Sequence, residues 1–447
     1  MELKSVGAIY DCIKGAVKQK GAGVEVVDEK ALRGAAIDAV IFNAVFSADR
    51  EVLQESRRLI TLIAGALGVR AASIHDLYDA VGRGECGGFT VPAVNIRGLT
   101  YDTSRAFFRS AKRNNAGAFI FEIAKSEIGY TGQRPAEYAA CVLAAAVKEG
   151  FRGPVFIQGD HFQVSEKNFT RDRKTEIEGL KKLIKEAIEA GFYNIDIDAS
   201  TLVDLSKPDV REQQRPNFET TALLTEYIRS NEPEGVTVSV GGEIGEVGGK
   251  NSTEEELRAF MDGFLGALPK GIKGISKISI QTGTSHGGVV LPDGTIAKVK
   301  VDFDTIERLS RAARASYGLA GVVQHGASTL PDEAFHMFVQ RGAVEVHLAT
   351  GFQNMVYDSP AFPQPLRDEI YRHLIERHSD ERKPADTEEQ FIYKTRKKGF
   401  GPFKERIWTI DEPRREKICK ELESRFDLYF EQLNAKNTAQ YVKKHVG

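Results

Sequence analysis

From the start of the chain to about Gly88, apolar residues recur at helical spacing, as in AAIDAVIFNAVF and SRRLITLIAGAL, and alternating β-branched runs are scarce. The pattern predicts a helical N-terminal extension over residues 1–88. Beyond it, short runs rich in Val, Ile and Phe, bounded by Gly or Pro, alternate with long amphipathic stretches. The runs are PAVNI (92–96), AFIFEIA (118–124), PVFIQGDH (154–161), NIDIDAS (194–200), VSVGGEIG (238–245), ISKISIQTG (275–283), LAGVVQHGAS (319–328) and AVEVHLAT (343–350). Helical segments such as TEIEGLKKLIKEAIEAG and STEEELRAFMDGFLGAL separate them, the second opening with a capping-box pattern of Ser252 and Glu255. Eight β-α alternations over roughly 250 residues are what a TIM barrel requires. The predicted fold is therefore α/β, a (β/α)8 TIM barrel over residues 89–357. A doubly wound open sheet would normally place a glycine-rich phosphate loop after its first strand, and PAVNIRGLT is no such loop.

After about Tyr357 the pattern turns helical and highly charged, which predicts a C-terminal extension over residues 358–447. Within it, EEQFIYKTRKKGFGPFKERIW interleaves Lys and Arg with Phe, Tyr and Trp. One reading is a solvated or subunit-facing segment; the sharper one is that its cations reach a phosphate at the barrel mouth.

Composition narrows the function classes. The 447 residues are 41% hydrophobic and 28% charged, and 61 Lys and Arg against 63 Asp and Glu leave a formal charge of -2. Without a basic excess, a dedicated nucleic-acid function has little support, and a small-molecule substrate is expected. Cys12, Cys86, Cys141 and Cys419 form no CxxC pair, which argues against a disulfide framework or a thiolate zinc site. The opening residues lack the apolar core and cleavage site of a signal peptide, and no run approaches the about 18 apolar residues a membrane span needs. A cytoplasmic location, with no membrane partner, is the expectation.

Three histidines sit at the C-terminal ends of predicted strands: His161 in GDH, His286 in GTSHGG and His325 in QHGAS. A lone strand-end histidine is more often a structural hydrogen-bonder than a ligand. Three change the balance, because the carboxyl ends of barrel strands converge on one mouth. Glu243 in GGEIG ends a fourth strand, and three imidazoles with a carboxylate form a sensible divalent-metal set with affinity for zinc. Gly287, Gly288 and Gly326 follow two of the histidines, and Gly241, Gly242 and Gly245 bracket the glutamate. Such turns permit positive φ and can aim amide N–H groups at an anion, although glycine also simply ends strands. Lys125, after the second barrel strand, invites a Schiff-base mechanism but stands without a partner able to lower its pKa.

The order DH, IDAS, GE-IG-x-x-GG, SHG, HGAS, over residues 92–350, resembles the class II ketose-bisphosphate aldolases, and PAVN looks like that family's PAxN opening strand. The resemblance implies reversible, metal-dependent retro-aldol cleavage of a phosphorylated ketose, fructose 1,6-bisphosphate-like, to dihydroxyacetone phosphate and an aldehyde. It implies Asp160 as the acid/base on the aldehyde-derived oxygen, and His161, His286 and His325 as ligands of a catalytic zinc or another divalent metal. Glu243 would be a ligand in some metal positions, Asp198 would orient or transiently bind the metal, and a monovalent cation is a further expectation. Gly287, Gly326 and Ser328 would offer donors to a substrate phosphate, with Asn95 and Asn251 also on the substrate side. A homodimer or higher homo-oligomer, working in carbohydrate metabolism such as glycolysis, completes the expectation.

Three departures stand out. Asn251 occupies the place of a catalytic glutamate usual after the GG, and asparagine cannot take a proton at neutral pH. EVHLAT replaces K-x-N-x-D-T in the last strand, placing His347 and Ala349 there, and Ala124 replaces a phosphate-contacting serine. His347 could supply the missing base, its ordinary pKa suiting that role, or be a packed or substrate-contacting histidine; Glu246 or a residue on the basic C-terminal segment is another source. SEIGYTGQRPAEY and AGFYNIDIDAS are also similar to the accessory subunit of tagatose-bisphosphate aldolase. A non-catalytic stabilising partner, supported by Asn251 and Ala349, is therefore one alternative. A metallo-hydrolase or epimerase at the same barrel mouth, with no need for Asp160, is another.

Overall fold

The computed structural model describes residues 2–245, 249–283, 291 and 301–447. Its strands are numbered here in chain order. β1 (Val17–Lys20) and β2 (Gly23–Val26) form a hairpin, and β3 (Val69–Ala72) precedes the barrel strands. The barrel strands are β4 (Val91–Asn95), β5 (Ile120–Ala124), β6 (Gly153–Gln163), β7 (Asn194–Asp198), β8 (Ser239–Glu243), β9 (Lys277–Ile280), β10 (Val322–Gln324) and β11 (Glu345–Leu348). Each pairs in parallel with the next, and β11 pairs with β4, so the sheet closes. Every one overlaps a run singled out by the hydrophobic pattern, and helices fill the gaps between them.

Two details differ from the pattern. The first 88 residues are mostly helical but also hold the hairpin and β3, which extends the sheet by pairing with the start of β6, Val69 opposite Gly153. These strands have four residues each, and the hairpin is largely exposed, so neither carries the alternation that marks a buried strand. The capping box falls one residue later than predicted. Thr253 caps the helix Glu254–Ala267 with Glu256 reaching back to it, because Ser252 Oγ instead accepts the amide of Gln281, 2.9 Å away.

The helix His75–Gly82 plugs the N-terminal end of the barrel, where Ile74, Leu77 and Tyr78 pack with Ala93, Ile120, Phe156 and Val323. Gly82 is where this helix meets the wall: a Cβ there would lie 2.3 Å from the carbonyl of Gly318. At the opposite flank, the C-terminal helix Glu412–Gln432 packs on the helix Thr100–Arg113. Phe107 meets Phe426 and Phe430 at 4.7 and 5.2 Å between ring centroids, and Arg109 bonds Glu423 at 2.7 Å. No helix among the described residues is long and apolar enough to cross a membrane.

His75, only 2% exposed, has neither ring nitrogen hydrogen-bonded, and its nearest acid, Asp79, is 3.5 Å away. Burial pushes its pKa down to about 4, only partly offset by Asp79. Its folded pKa thus lies below the unfolded value near 6.5, so the neutral form is the one the fold stabilises. The contribution is present above pH 6.5 and is lost as pH falls toward 4, with a ceiling of about 3 kcal/mol. In urea titrations between pH 7.5 and 4.5, a His75→Phe variant is expected to lose stability less steeply with acid than the parent. Equal slopes would show that the ring is accommodated in both charge states.

Candidate active site

Asp160 and His161 are consecutive in β6, yet both line the cavity at the barrel mouth, which plain strand alternation does not allow. The register with β7 explains this. Gly159 pairs with Ile195 and Phe162 with Ile197, so β6 carries an extra residue at this point. His161 adopts φ 40°, and a Cβ on Gly159 would lie 2.5 Å from the Phe162 ring, so the local sequence is shaped for a bulge. Bulges of this kind re-aim side chains beside functional sites.

His161 is the hub of the site. Its Nδ1 lies 3.3 Å from Asp198 Oδ2 and 3.2 Å from Glu243 Oε2, and its ring centroid is 4.2 Å from that of His325. Donor atoms of His161, Asp198 and Glu243 all lie within 4.8 Å of one another, as do those of Asp160, His161 and His325. Ligands about 2.1 Å from a tetrahedral zinc are separated by roughly 3.4 Å, so this mixed nitrogen and carboxylate set fits a divalent cation without rearranging the backbone. Burial disfavours the charged form of His161, but Asp160 and Glu243 outweigh it and raise its pKa well above the ordinary value. Asp198, also opposed by burial, is lowered by the hydrogen bond from His161.

Asp160 is buried beside this cluster. Asn95 Nδ2 donates to its Oδ2 at 2.8 Å, and His347 Nδ1 lies 3.2 Å from its Oδ1. Against the cost of burial, His161, His347 and His325 hold it well below the usual carboxylate range. His347 is itself enclosed by acids: Glu122 at 3.3 Å, Glu345 at 2.5 Å and Asp196 at 3.7 Å, besides Asp160. Burial opposes its charge, yet Glu122 and Asp160 raise its pKa well above the ordinary value, which favours the imidazolium form. In that state it can give a proton, and becomes a base only after doing so.

Below these groups lies a layer that the sequence reading did not assemble. Lys277 Nζ bonds Gln158 Oε1 at 2.8 Å, Asp196 Oδ2 at 3.0 Å and Glu345 Oε1 at 2.5 Å, and Tyr78 donates its hydroxyl to Glu345. In this layer the inward positions of β5, β6, β7, β9 and β11 are thus filled by charges and amides rather than branched apolar residues.

Above the histidines opens a cavity of about 430 Å3, lined by Asn95, Asp160, His161, His325, Gly326, Ser328 and His347 among others. Gly326 has φ 70°, and Ser328 Oγ accepts the Ala349 amide at 2.7 Å. Of the residues expected at the site, Asn251 is not among those lining the cavity; its Nδ2 donates to Asp302 at 2.8 Å. His286, Gly287 and Glu246 lie outside the described residues. Lys125, the Schiff-base candidate, bonds Gln163 O at 2.8 Å and Glu176 at 3.2 Å. Arg97, Glu127, Tyr130 and Lys397 also line the cavity; Glu127 and Tyr130 lie in SEIGYTGQRPAEY and Lys397 in the basic-aromatic segment, but neither pattern marks them as site residues.

A closed parallel barrel whose carboxyl end gathers candidate metal ligands and a buried acid has its polar chemistry at the mouth, where enzymes of this fold carry their active sites. Residues 76–404 match the family described as Fructose-bisphosphate aldolase class-II, and the chain belongs to that family, which carries an aldolase-type function. Comparison of the sequence with curated proteins finds no match. Among solved structures, a protein from Sinorhizobium meliloti 1021 titled "probable tagatose 6 phosphate kinase" is similar in fold, with 16% identity and a TM-score of 0.52 over 79% of this chain and 93% of that one. Fructose-bisphosphate aldolase from Campylobacter jejuni aligns at 18% identity and a TM-score of 0.48, over 82% and 97% of the two chains.

Proposed function

We propose that this protein is a metal-dependent aldolase that reversibly cleaves a phosphorylated ketose into dihydroxyacetone phosphate and an aldehyde. The observation that supports it most is that Asp160, paired with His347, stands beside the donor cluster around His161 at the floor of one cavity. His161, His325, Asp198 and Glu243 would hold the cation, which when bound stabilises the negative charge that develops on the ketone-derived oxygens as the carbon–carbon bond breaks.

The chain's own residues account for the protons. Ionised Asp160 removes the proton from the substrate hydroxyl that becomes the aldehyde oxygen. The electrons of the broken bond pass to the ketone half as an enediolate. His347, held as an imidazolium, supplies the proton that quenches the enediolate carbon, and transfer across its 3.2 Å contact with Asp160 returns both groups to their starting states. Asn95 keeps the carboxylate oriented throughout. The side chain of Asn251 is accordingly not needed for proton transfer. In this reading the protein acts alone or as a homo-oligomer, without a second type of chain.

Metal analysis of the purified protein, beside an aldol-cleavage assay on a panel of ketose mono- and bisphosphates with and without chelator, tests this. About one divalent cation per chain and chelator-sensitive cleavage are expected. Stoichiometric metal with no cleavage of any ketose phosphate would overturn the assignment.

A further inference from the structure

The basic and aromatic segment near the C-terminus is keyed into the barrel mouth. Residues 396–399 form a short helical turn in which Arg396 bonds Asp358 at 2.7 Å and Asn354 at 2.5 Å and stacks on Tyr393. Phe400 fills the space a side chain would need at Gly98, where a Cβ would sit 2.1 Å from its ring. A Cβ on Gly401 would sit 2.3 Å from the Tyr130 carbonyl. The turn is therefore fixed against the residues on either side of the cavity wall, next to Arg97 and Tyr130.

Charge on this wall does not balance. Arg97 is matched by Glu127 at 2.6 Å and is further held by Thr350 and Gln353 at 3.2 and 2.8 Å. Lys398 is matched by Glu381. The Lys397 side chain, half-buried between these pairs, makes no hydrogen bond or ion pair among the described residues, and its ammonium lies 5.6 Å from the centre of the Tyr130 ring. Burial first and the neighbouring Arg97 next push its pKa down, more than Glu127 and Glu381, each already paired with another cation, raise it. The Tyr130 hydroxyl is buried beside Arg97, and no group among the described residues meets it in full hydrogen-bond geometry. An unmatched ammonium, a guanidinium edge and a spare hydroxyl thus face one cavity.

We propose that Lys397, with Arg97 and Tyr130, forms a subsite for the terminal phosphate of the substrate, so that the C-terminal extension determines which ketose phosphates the barrel accepts. This deepens the aldolase reading and rests on it for the identity of the substrate, while the anion site itself does not. A phosphate there would supply the counter-charge Lys397 lacks and accept from the phenol, and would anchor one end of an open-chain sugar in the cavity that His161 also lines.

The test has two arms. In the first, binding of inorganic phosphate to the purified protein is measured by calorimetry for the parent, Lys397→Met and Lys397→Arg. A hydrogen bond between charged groups in a half-buried site predicts about tenfold to hundredfold weaker binding for Lys397→Met, with Lys397→Arg recovering most of it. In the second, kcat/KM is compared for a ketose 1,6-bisphosphate and the matching 1-phosphate. Lys397→Met is expected to lose about the same factor on the bisphosphate, through KM, and little on the monophosphate. Phosphate binding that depends on Lys397 in a protein that cleaves nothing would sink the aldolase reading and leave the anion site standing. Cleavage with phosphate binding and KM unchanged in Lys397→Met, its circular dichroism native, would overturn the subsite.

Discussion

An Asp160→Asn variant is expected to lose about 10²- to 10⁴-fold in kcat while keeping its metal and, within a few-fold, its KM. That range is what a positioned acid/base group contributes when it moves a proton in the transition state. The substitution is close to isosteric, and an amide oxygen can still accept from Asn95, now at 2.8 Å from the carboxylate. What is removed is the capacity to take the hydroxyl proton, together with the anion that faces His347 at 3.2 Å. Because Asp160 also lies within reach of His161 and His325, it could instead serve as a ligand, and the two roles separate experimentally. Metal content measured beside kcat decides: loss of the cation together with activity would make Asp160 a ligand, and full activity in Asp160→Asn would remove it from the chemistry. The metallo-hydrolase or epimerase alternative predicts the latter outcome.

The barrel is legible in the sequence because its strands are buried on both faces and so appear as short apolar runs between amphipathic helices. PVFIQGDH and NIDIDAS stand out for that reason. The site is legible to the extent that it sits at strand ends, where barrel geometry gathers side chains without any need to know their contacts. His161 meets Asp198 and Glu243 in one such group, and Asp160 and His325 in another.

What depends on local geometry is hidden. Alternation along GDHF would send Asp160 and His161 to opposite faces, and only the extra residue against β7 brings both to the mouth. His347 reads from its ordinary pKa as a base, but four carboxylates converge on it from β5, β6, β7 and its own strand, and they hold it charged. The hairpin β1–β2 is too short and too exposed, and the strand β3 too short, to register against the helices around them. Lys397 is 300 residues from Arg97 in the chain, so no spacing rule could couple them.

The most deeply hidden group, Lys277, should also be the most costly to remove. KISI alternates a charge and a hydroxyl with isoleucines, which suggests a strand with one polar face toward water, yet Lys277 is fully buried at the centre of the barrel. Its partners Asp196 and Glu345 lie 81 and 68 residues away in the chain. Burial opposes its charge, but the two carboxylates outweigh burial and keep its pKa above the ordinary value. In turn, Lys277 offsets the burial that raises Asp196 to about 6, and with His347 keeps Glu345 well below the usual range. A Lys277→Met variant keeps the volume and leaves these two acids with the His347 imidazolium as their one nearby cation among the described residues. Breaking a buried pair by deleting one partner costs about 3–5 kcal/mol, and that is the expected loss in urea unfolding at pH 8. The sign of its pH dependence follows from the acids left behind. With their folded pKa raised above the unfolded value, the folded state binds protons more tightly, so the variant's deficit should shrink as pH falls from 8 to 5. Adding Asp196→Asn, which removes one of the stranded charges, should recover part of the loss at pH 8. A deficit below about 1 kcal/mol that is also flat with pH would mean that water or rearranged side chains reach the barrel centre and replace the ammonium.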